Sequence, residues 1–373
     1  MTGLRGRRAR DERAERLVTD VEQLRRRTHT AGPGPYERSE RRMRVALLAP
    51  VESPHTRRWI EFYAGQGIEV YAISLPAAGA PAPLPPLVRT AYLPTLRGEV
   101  PSPRAVTRLR ALLDQARPDV LAVHLGGPYG LLAALADRHP YVVLAGADLT
   151  ADVGVSSAAG RRALELALRR ADAVCATSRL LAAAVGRHTD APVSVTPLGV
   201  DTDRFVPAPR PPDGRFLIGT VPAPRAGLDR QTLERAHQEL TDRPGADPAD
   251  LVVLGSADAG LPGALARLDA LVVGTDRDGR ALVALQGQAC GVPVVAAGTG
   301  ALAEFVRDGE TGFVVPPADA ATLANRLAAL RDDPARRARM GAAARDHAVS
   351  SYTWVRNATL MLDVFAGLGP GAS

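Results

Sequence analysis

A carboxylate and a carboxamide stand eight positions apart in Asp278-Gly-Arg-Ala-Leu-Val-Ala-Leu-Gln286. If a helix begins just after Asp278, that spacing puts an acid in the strand-to-helix turn and a polar side chain two turns further on. Both then face the same end of a sheet. The plainer reading of Asp276-Arg-Asp-Gly279 is a turn or a helix cap. Arg225, in Val221-Pro-Ala-Pro-Arg225, could meet an anion or simply be a solvated loop cation. His124 and His55 could face a cleft, although an imidazole at a strand end is more often a hydrogen-bonded core or rim residue. Asp201-Thr-Asp203 and Asp276-Arg-Asp278 fit the letters of a metal-binding pair, but the spacing is common by chance and no metal site is expected. Serine or cysteine nucleophile signatures and a lysine-containing phosphate loop are missing, which argues against hydrolase and nucleoside-triphosphatase chemistry.

These residues need a scaffold, and the apolar pattern supplies one. Short Val/Leu/Ala runs alternate with helical stretches from Met43 onward, which is how parallel βα units read. Strands are predicted at 44–49, 68–74, 119–124, 141–145, 172–177 and 193–196, with helices at 54–66, 102–116, 127–137, 158–170 and 179–187. A proline-rich break, Phe205-Val-Pro-Ala-Pro-Arg-Pro-Pro-Asp-Gly214, interrupts the rhythm and reads as a linker. A second series follows, with strands predicted at 215–219, 251–255, 269–273, 293–297 and 312–315. Its helices are predicted at 229–241, 280–290, 319–331, 335–348 and 352–367. Near-continuous apolar strands imply sheets covered on both faces. The expected class is α/β, two facing Rossmann-like doubly wound domains, with ligands at the carboxyl ends of the strands.

The domains expected are a charged extension at 1–42, one Rossmann-like half at 43–205, a second at 206–350, and a closing helix and tail at 351–373, with that helix returning to the first half. The chain has 373 residues and a net charge of +6. Residues 1–42 hold 12 Arg against 7 Asp or Glu, so the remainder is almost neutral, and all of the basic residues are Arg. With aromatics at 4%, neither a basic stripe nor a stacking platform is present, and nucleic acid is not an expected partner. The extension reads as a tail, or as an arm touching an acidic membrane surface or a partner protein. Met43 would also make a natural start. No run of about 18 apolar residues occurs, so a cytoplasmic chain, with peripheral membrane contact through 1–42, is expected. Cys175 and Cys290 each lie in an apolar run and read as core.

Several ordered motifs add to this. Gly291-Val-Pro-Val-Val295 precedes Glu304-Phe-Val-Arg-Asp-Gly-Glu-Thr-Gly-Phe-Val-Val-Pro-Pro317. In the first half stand Ser53-Pro-His-Thr-Arg-Arg-Trp59, Pro118-Asp-Val-Leu-Ala-Val-His124, Tyr129-Gly-Leu-Leu132 and Arg169-Arg-Ala-Asp-Ala-Val174. Leu198-Gly-Val-Asp201 and Tyr352-Thr-Trp354 follow. Together they resemble the retaining, nucleotide-sugar-dependent glycosyltransferases of family 4, which have the GT-B fold, over about residues 43–365. The resemblance implies a donor that is a nucleotide-diphosphate sugar, a small-molecule or glycan acceptor, and no cofactor. It implies that Asp278 touches the donor sugar, that Arg225 steadies the diphosphate beside Thr220, and that Gln286 and Glu304 hold the nucleotide or sugar side. Gly298 and Gly300 would lend backbone amides, while His124 and Asp148 would line the acceptor side.

The chain departs from the family pattern at four of these places. Asp278 and Gln286 stand where two Glu are usual, Thr220 stands where Arg is usual, and Ala145 stands where His or Trp is usual. Losing a charge at Gln286 costs about 1 kcal/mol, whereas a carboxylate one methylene shorter at a reacting centre can cost about a hundredfold. The segment between Leu254 and Leu268 is also too short for the extra βα unit the family places there. A catalytically silent binding subunit or scaffold is therefore the alternative expectation.

Overall fold

The computed structural model describes residues 42–76, 84–97, 100–124, 128–146, 158–209, 214–221, 228–244, 247–255, 260–274, 281–298, 300 and 302–368. Asp148, Arg225, Asp276 and Asp278 lie outside the described residues, as does nearly all of the 1–42 extension. By contact, the chain divides into two compact units, Met1–Asp119 and Val120–Ser373.

The first unit contains β1 (Arg44–Leu48), α1 (Pro54–Gly65), β2 (Glu69–Ser74), β3 (Val88–Tyr92), the short β4 (Thr95–Arg97) and β5 (Val100–Pro101), and α2 (Arg104–Ala116). β1 pairs with β2, and β2 with β3, all parallel. After Arg44, β1 is an unbroken apolar run, and those four residues are buried. β3 was not predicted: its half-exposed Val-Arg-Thr-Ala-Tyr pattern lacks the apolar run of a strand covered on both faces. In α1, Trp59 packs on Phe62 and Tyr63, and its Nε1 donates to His55 Nε2 at 3.2 Å. That bond puts the His55 proton on Nδ1, and burial, aided by Arg58, lowers the His55 pKa.

The second unit begins with β6 (Val120–His124), α3 (Pro128–Ala136), β7 (Tyr141–Ala145), α4 (Ala158–Arg169), β8 (Ala173–Ala176), α5 (Arg179–Val185) and β9 (Val193–Val195). Its strands are parallel in the order β6-β7-β8-β9. The second series then runs β10 (Phe216–Thr220), α6 (Arg230–Thr241), β11 (Ala249–Val253), α7 (Leu261–Ala266), β12 (Ala270–Gly274), α8 (Ala281–Ala289) and β13 (Val294–Ala297). After it come α9 (Leu302–Phe305), β14 (Gly312–Val315), α10 (Ala320–Arg331), α11 (Pro334–Ser351) and α12 (Trp354–Ala366). These five strands are parallel in the order β11-β10-β12-β13-β14. Alternation along them feeds two cores. Leu271, Val273, Val294 and Ala296 pack with Val283, Leu285 and Phe305, whereas Ala270, Val272, Val295 and Phe313 pack with Leu233, Leu323 and Leu327.

Among the described residues, the six-residue α7 is the only element between β11 and β12, in keeping with the shortness read from the sequence. β11 is thus an edge strand, and Val252 and Val253 are exposed on it.

The C-terminal helix α12 is fastened to the segment after β9. Trp354 N donates to Val200 O at 2.9 Å, and Asn357 Nδ2 donates to Leu198 O at 2.9 Å. Gly199 is required there, because a Cβ would sit 2.7 Å from Trp354 Cα. The linker begins inside a core, since Phe205 is buried among the Leu271 and Val273 cluster.

Candidate functional site

In a parallel sheet all strands point the same way, so the carboxyl ends of β10, β12 and β13 share one edge. Thr220, Gly274 and Ala297 are the last residues of those strands. Along the chain, Thr220 precedes the segment that contains Arg225, Gly274 precedes the one that contains Asp278, and Ala297 immediately precedes Gly298. Such an edge is where open α/β sheets receive ligands.

Thr220 is 4% exposed, and its carbonyl accepts from Leu254 N at 2.8 Å. It offers one hydroxyl where an arginine would have brought a cation. The glycine before it has a packing reason, because a Cβ on Gly219 would lie 2.2 Å from Leu268 Cδ1. Gly298 and Gly300 have φ of +139° and +102°, conformations that L side chains rarely adopt. The Gly298 amide is committed internally, donating to Val315 O at 3.1 Å, and the Gly300 carbonyl accepts from Ala303 N at 3.1 Å.

Gln286 lies in the second turn of α8. Its Oε1 is buried and has no hydrogen-bond partner among the described residues. A buried carbonyl without a donor is costly, by about 1 to 3 kcal/mol, so this atom is suited to accept from a ligand hydroxyl.

Three contacts hold α8 itself. Gly287 lets the helix approach β12, since a Cβ there would sit 2.4 Å from Leu271 Cδ2. Gln288, fully buried, donates from Nε2 to Phe305 O at 2.7 Å, and its Oε1 lies 3.1 Å from His347 Nδ1. The first bond fixes the orientation of the amide, so His347 must be the donor in the second, from Nδ1–H. Burial lowers the His347 pKa, and Arg307 adds to the effect. At the helix C-terminus, Arg345 Nη1 donates to Ala289 O and to Phe205 O, both at 2.7 Å, and its Nη2 reaches Thr202 O at 3.1 Å. A cation at the C-terminal carbonyls is the favourable polarity. Sequence reading missed Gln288, His347 and Arg345, because nothing in their spacing marks partners 17 to 143 positions away.

Glu304 is solvent-exposed, and both carboxylate oxygens accept backbone N–H groups, Oε2 from Arg179 at 2.9 Å and Oε1 from Leu180 at 2.7 Å. His124 ends β6 and is only 2% exposed, paired in register with Leu144. Asp201 Oδ1 accepts from the amides of Asp203 and Arg204 at 3.2 and 3.1 Å, so the first acid of that Asp-x-Asp pair shapes a turn. Among the described residues, no cluster of three or more His, Cys, Asp or Glu could hold a metal ion. Cys175 and Cys290 are buried, and burial pushes both thiols up to about 12. Among the described residues, no helix is long and apolar enough to cross a membrane.

Two family descriptions match the chain, Glycosyltransferase Family 4 over residues 53–204 and Glycosyl transferases group 1 over residues 248–347. The chain is 30% identical over 319 residues to the GDP-mannose-dependent alpha-(1-6)-phosphatidylinositol monomannoside mannosyltransferase of Mycolicibacterium smegmatis, covering 72% of this chain and 81% of that protein. It is 34% identical over 210 residues to the D-inositol 3-phosphate glycosyltransferase of an Arthrobacter species, covering 46% of this chain and 49% of that protein. In structure it resembles the sucrose-phosphate synthase of Thermosynechococcus elongatus, with a TM-score of 0.72 and 19% identity over 88% of this chain and 99% of that one. It also resembles the Anabaena protein HepE in complex with UDP-glucose, with a TM-score of 0.65 and 19% identity over 87% of this chain and 100% of that one. At such identity the two structures bear on the fold alone, which they place as GT-B.

Proposed function

Because the chain belongs to the family 4 glycosyltransferases and is a transferase of the GT-B fold, we propose that it moves a sugar from a nucleoside-diphosphate sugar to an acceptor hydroxyl with retained anomeric configuration. The acceptor oxygen bonds to the anomeric carbon as the bond from that carbon to the diphosphate oxygen breaks. The electron pair leaves with the nucleoside diphosphate, and the acceptor proton passes to the departing phosphate oxygen. Residues 206–350 form the donor half and 43–205 the acceptor half.

The roles are those that the family resemblance implies, and the chemistry of the residues suits them. Arg225 meets the diphosphate bidentately and neutralises charge as it grows on the leaving group. Asp278 accepts from a hydroxyl of the donor sugar. Gln286 accepts from a ribose hydroxyl, and Gly298 and Gly300 allow the backbone to come close to the donor. His124 and Asp148 line the acceptor side. Closure of the site excludes water and so limits hydrolysis of the donor. The M. smegmatis relative is named for GDP-mannose and a phosphatidylinositol mannoside, and HepE was solved with UDP-glucose. Those names support the donor class and a lipid-linked or small glycan acceptor. We place the chain in the cytoplasm, with the Arg-rich residues 1–42 able to lean on an acidic membrane surface or a partner protein.

The observation that supports the reading most is the orphaned Oε1 of Gln286, an acceptor awaiting a hydroxyl at the position where the family grips the ribose. The test is to incubate the protein with individual nucleoside-diphosphate sugars and a cell extract, identify the glycosylated product by mass spectrometry, and assign its anomeric centre by NMR. A product with the anomeric configuration of its donor is expected, and a product of opposite configuration would overturn the retaining assignment.

A further inference from the structure

The seven-residue helix α5 begins with three amides that have no partner within the helix, and all three are satisfied. Leu181 N donates to Ser178 Oγ at 3.1 Å, the ordinary N-cap bond. The Arg179 and Leu180 amides instead donate to Glu304, a residue 125 and 124 positions away. Glu304 sits in the short helix α9, whose last residue, Phe305, offers its carbonyl to Gln288 at 2.7 Å. Gly300, just upstream, stands against α5, since a Cβ on it would lie 3.6 Å from Leu180 Cδ2. The carboxylate therefore ties α5 to the turn that follows β13, and through Phe305 to the helix that carries Gln286.

We propose that Glu304 is a positioning residue of the transfer site: its carboxylate, shared between the Arg179 and Leu180 amides, fixes Gly300 beside Leu180 and acts on the donor through that turn, without touching the donor. The inference rests on the donor pocket proposed above. Charge-assisted bonds of this kind are stronger than neutral ones, and the exposed setting leaves them open to competition by water. The contact is thus strong enough to set a loop and weak enough to be broken during turnover.

The experiment breaks the contact from each side. Glu304→Ala removes both acceptors. Arg179→Pro removes one donor and leaves Glu304 intact, because proline suits the first position of a helix and Ser178 already has the extended conformation, φ −150° and ψ 162°, that a following proline demands. Arg179→Ala keeps the amide and serves as the matched reference for loss of the side chain. Hydrogen exchange without any donor should show the Leu180 amide exchanging about tenfold faster in Glu304→Ala, while the Leu181 amide changes little. With donor present, kcat/KM should fall about tenfold in Glu304→Ala and about threefold in Arg179→Pro relative to Arg179→Ala. The double variant should be no worse than Glu304→Ala alone.

Unchanged exchange at Leu180 would overturn the contact. Full activity in Arg179→Pro beside a large loss in Glu304→Ala would overturn the positioning role and assign Glu304 to the donor directly. The exchange measurement needs no turnover, so it stands or falls separately from the transferase reading.

Discussion

Arg225→Ala should lower kcat/KM for sugar transfer by about a hundredfold and leave the circular dichroism spectrum unchanged. The departing diphosphate gains negative charge in the transition state, and deleting one pre-placed donor to such a charge costs on the order of 10² to 10³ in rate. The family pattern provides two cations near this diphosphate. Here Thr220 takes one of those places, and it is a buried neutral residue at the carboxyl end of β10. In the proposed site the work falls on Arg225, so its loss should be felt both in donor affinity and in kcat. Arg225→Lys should recover part of the rate, since a point charge replaces a bidentate fork. Steady-state kinetics of the three proteins with one donor makes the comparison, and equal kcat/KM in Arg225→Ala would remove Arg225 from the site.

Gly341→Ala should destabilise the protein by about 3 kcal/mol, an effect at the upper end for an added methyl group. Gly341 lies in α11, where a Cβ would stand 2.3 Å from the carbonyl oxygen of Gly291 and 3.6 Å from Pro293 Cδ. The nearer neighbour is backbone, so no rotamer change relieves the clash. Gly291 cannot yield by an ordinary adjustment, because its φ of +72° already fixes the turn between α8 and β13. The strain would pass into α8, which α11 also grips through His347 and Arg345. Chemical denaturation should therefore show a lower midpoint, with loss of donor binding before global unfolding. A midpoint equal to that of the unmodified chain would contradict the packing described.

The central strands were legible because they are apolar on both faces. Val120–His124, Tyr141–Ala145 and Ala270–Gly274 are fully buried runs, and burial of this kind leaves few polar residues to blur the pattern. β3 escaped notice because, at the edge of its group, it buries none of its five residues, and α7 and α9 because six and four residues are too few to show a helical period.

The site was legible in its chemistry more than in its support. Gln286 was found through the family resemblance, by its place ahead of Gly291-Val-Pro293. The residues that hold its helix were not: Gln288 reads as one more polar residue of α8, and only the fold brings Phe305 and His347 to its two ends. Glu304 shows the same limit: the resemblance assigns it to the donor side, and nothing local marks the amides of α5 that its carboxylate accepts. Contacts across more than a hundred positions leave no local trace, because the chain can satisfy a helix N-terminus from either side of it.

Isothermal calorimetry of the full chain with a panel of uridine- and guanosine-diphosphate sugars tests the central claim most directly. Saturable binding of at least one donor below millimolar concentration, weakened about tenfold by Arg225→Ala, is expected. A folded protein that gives no heat of binding with any donor at millimolar concentration would contradict it, and the substitutions at Thr220, Asp278 and Gln286 would then mark the loss of the donor pocket.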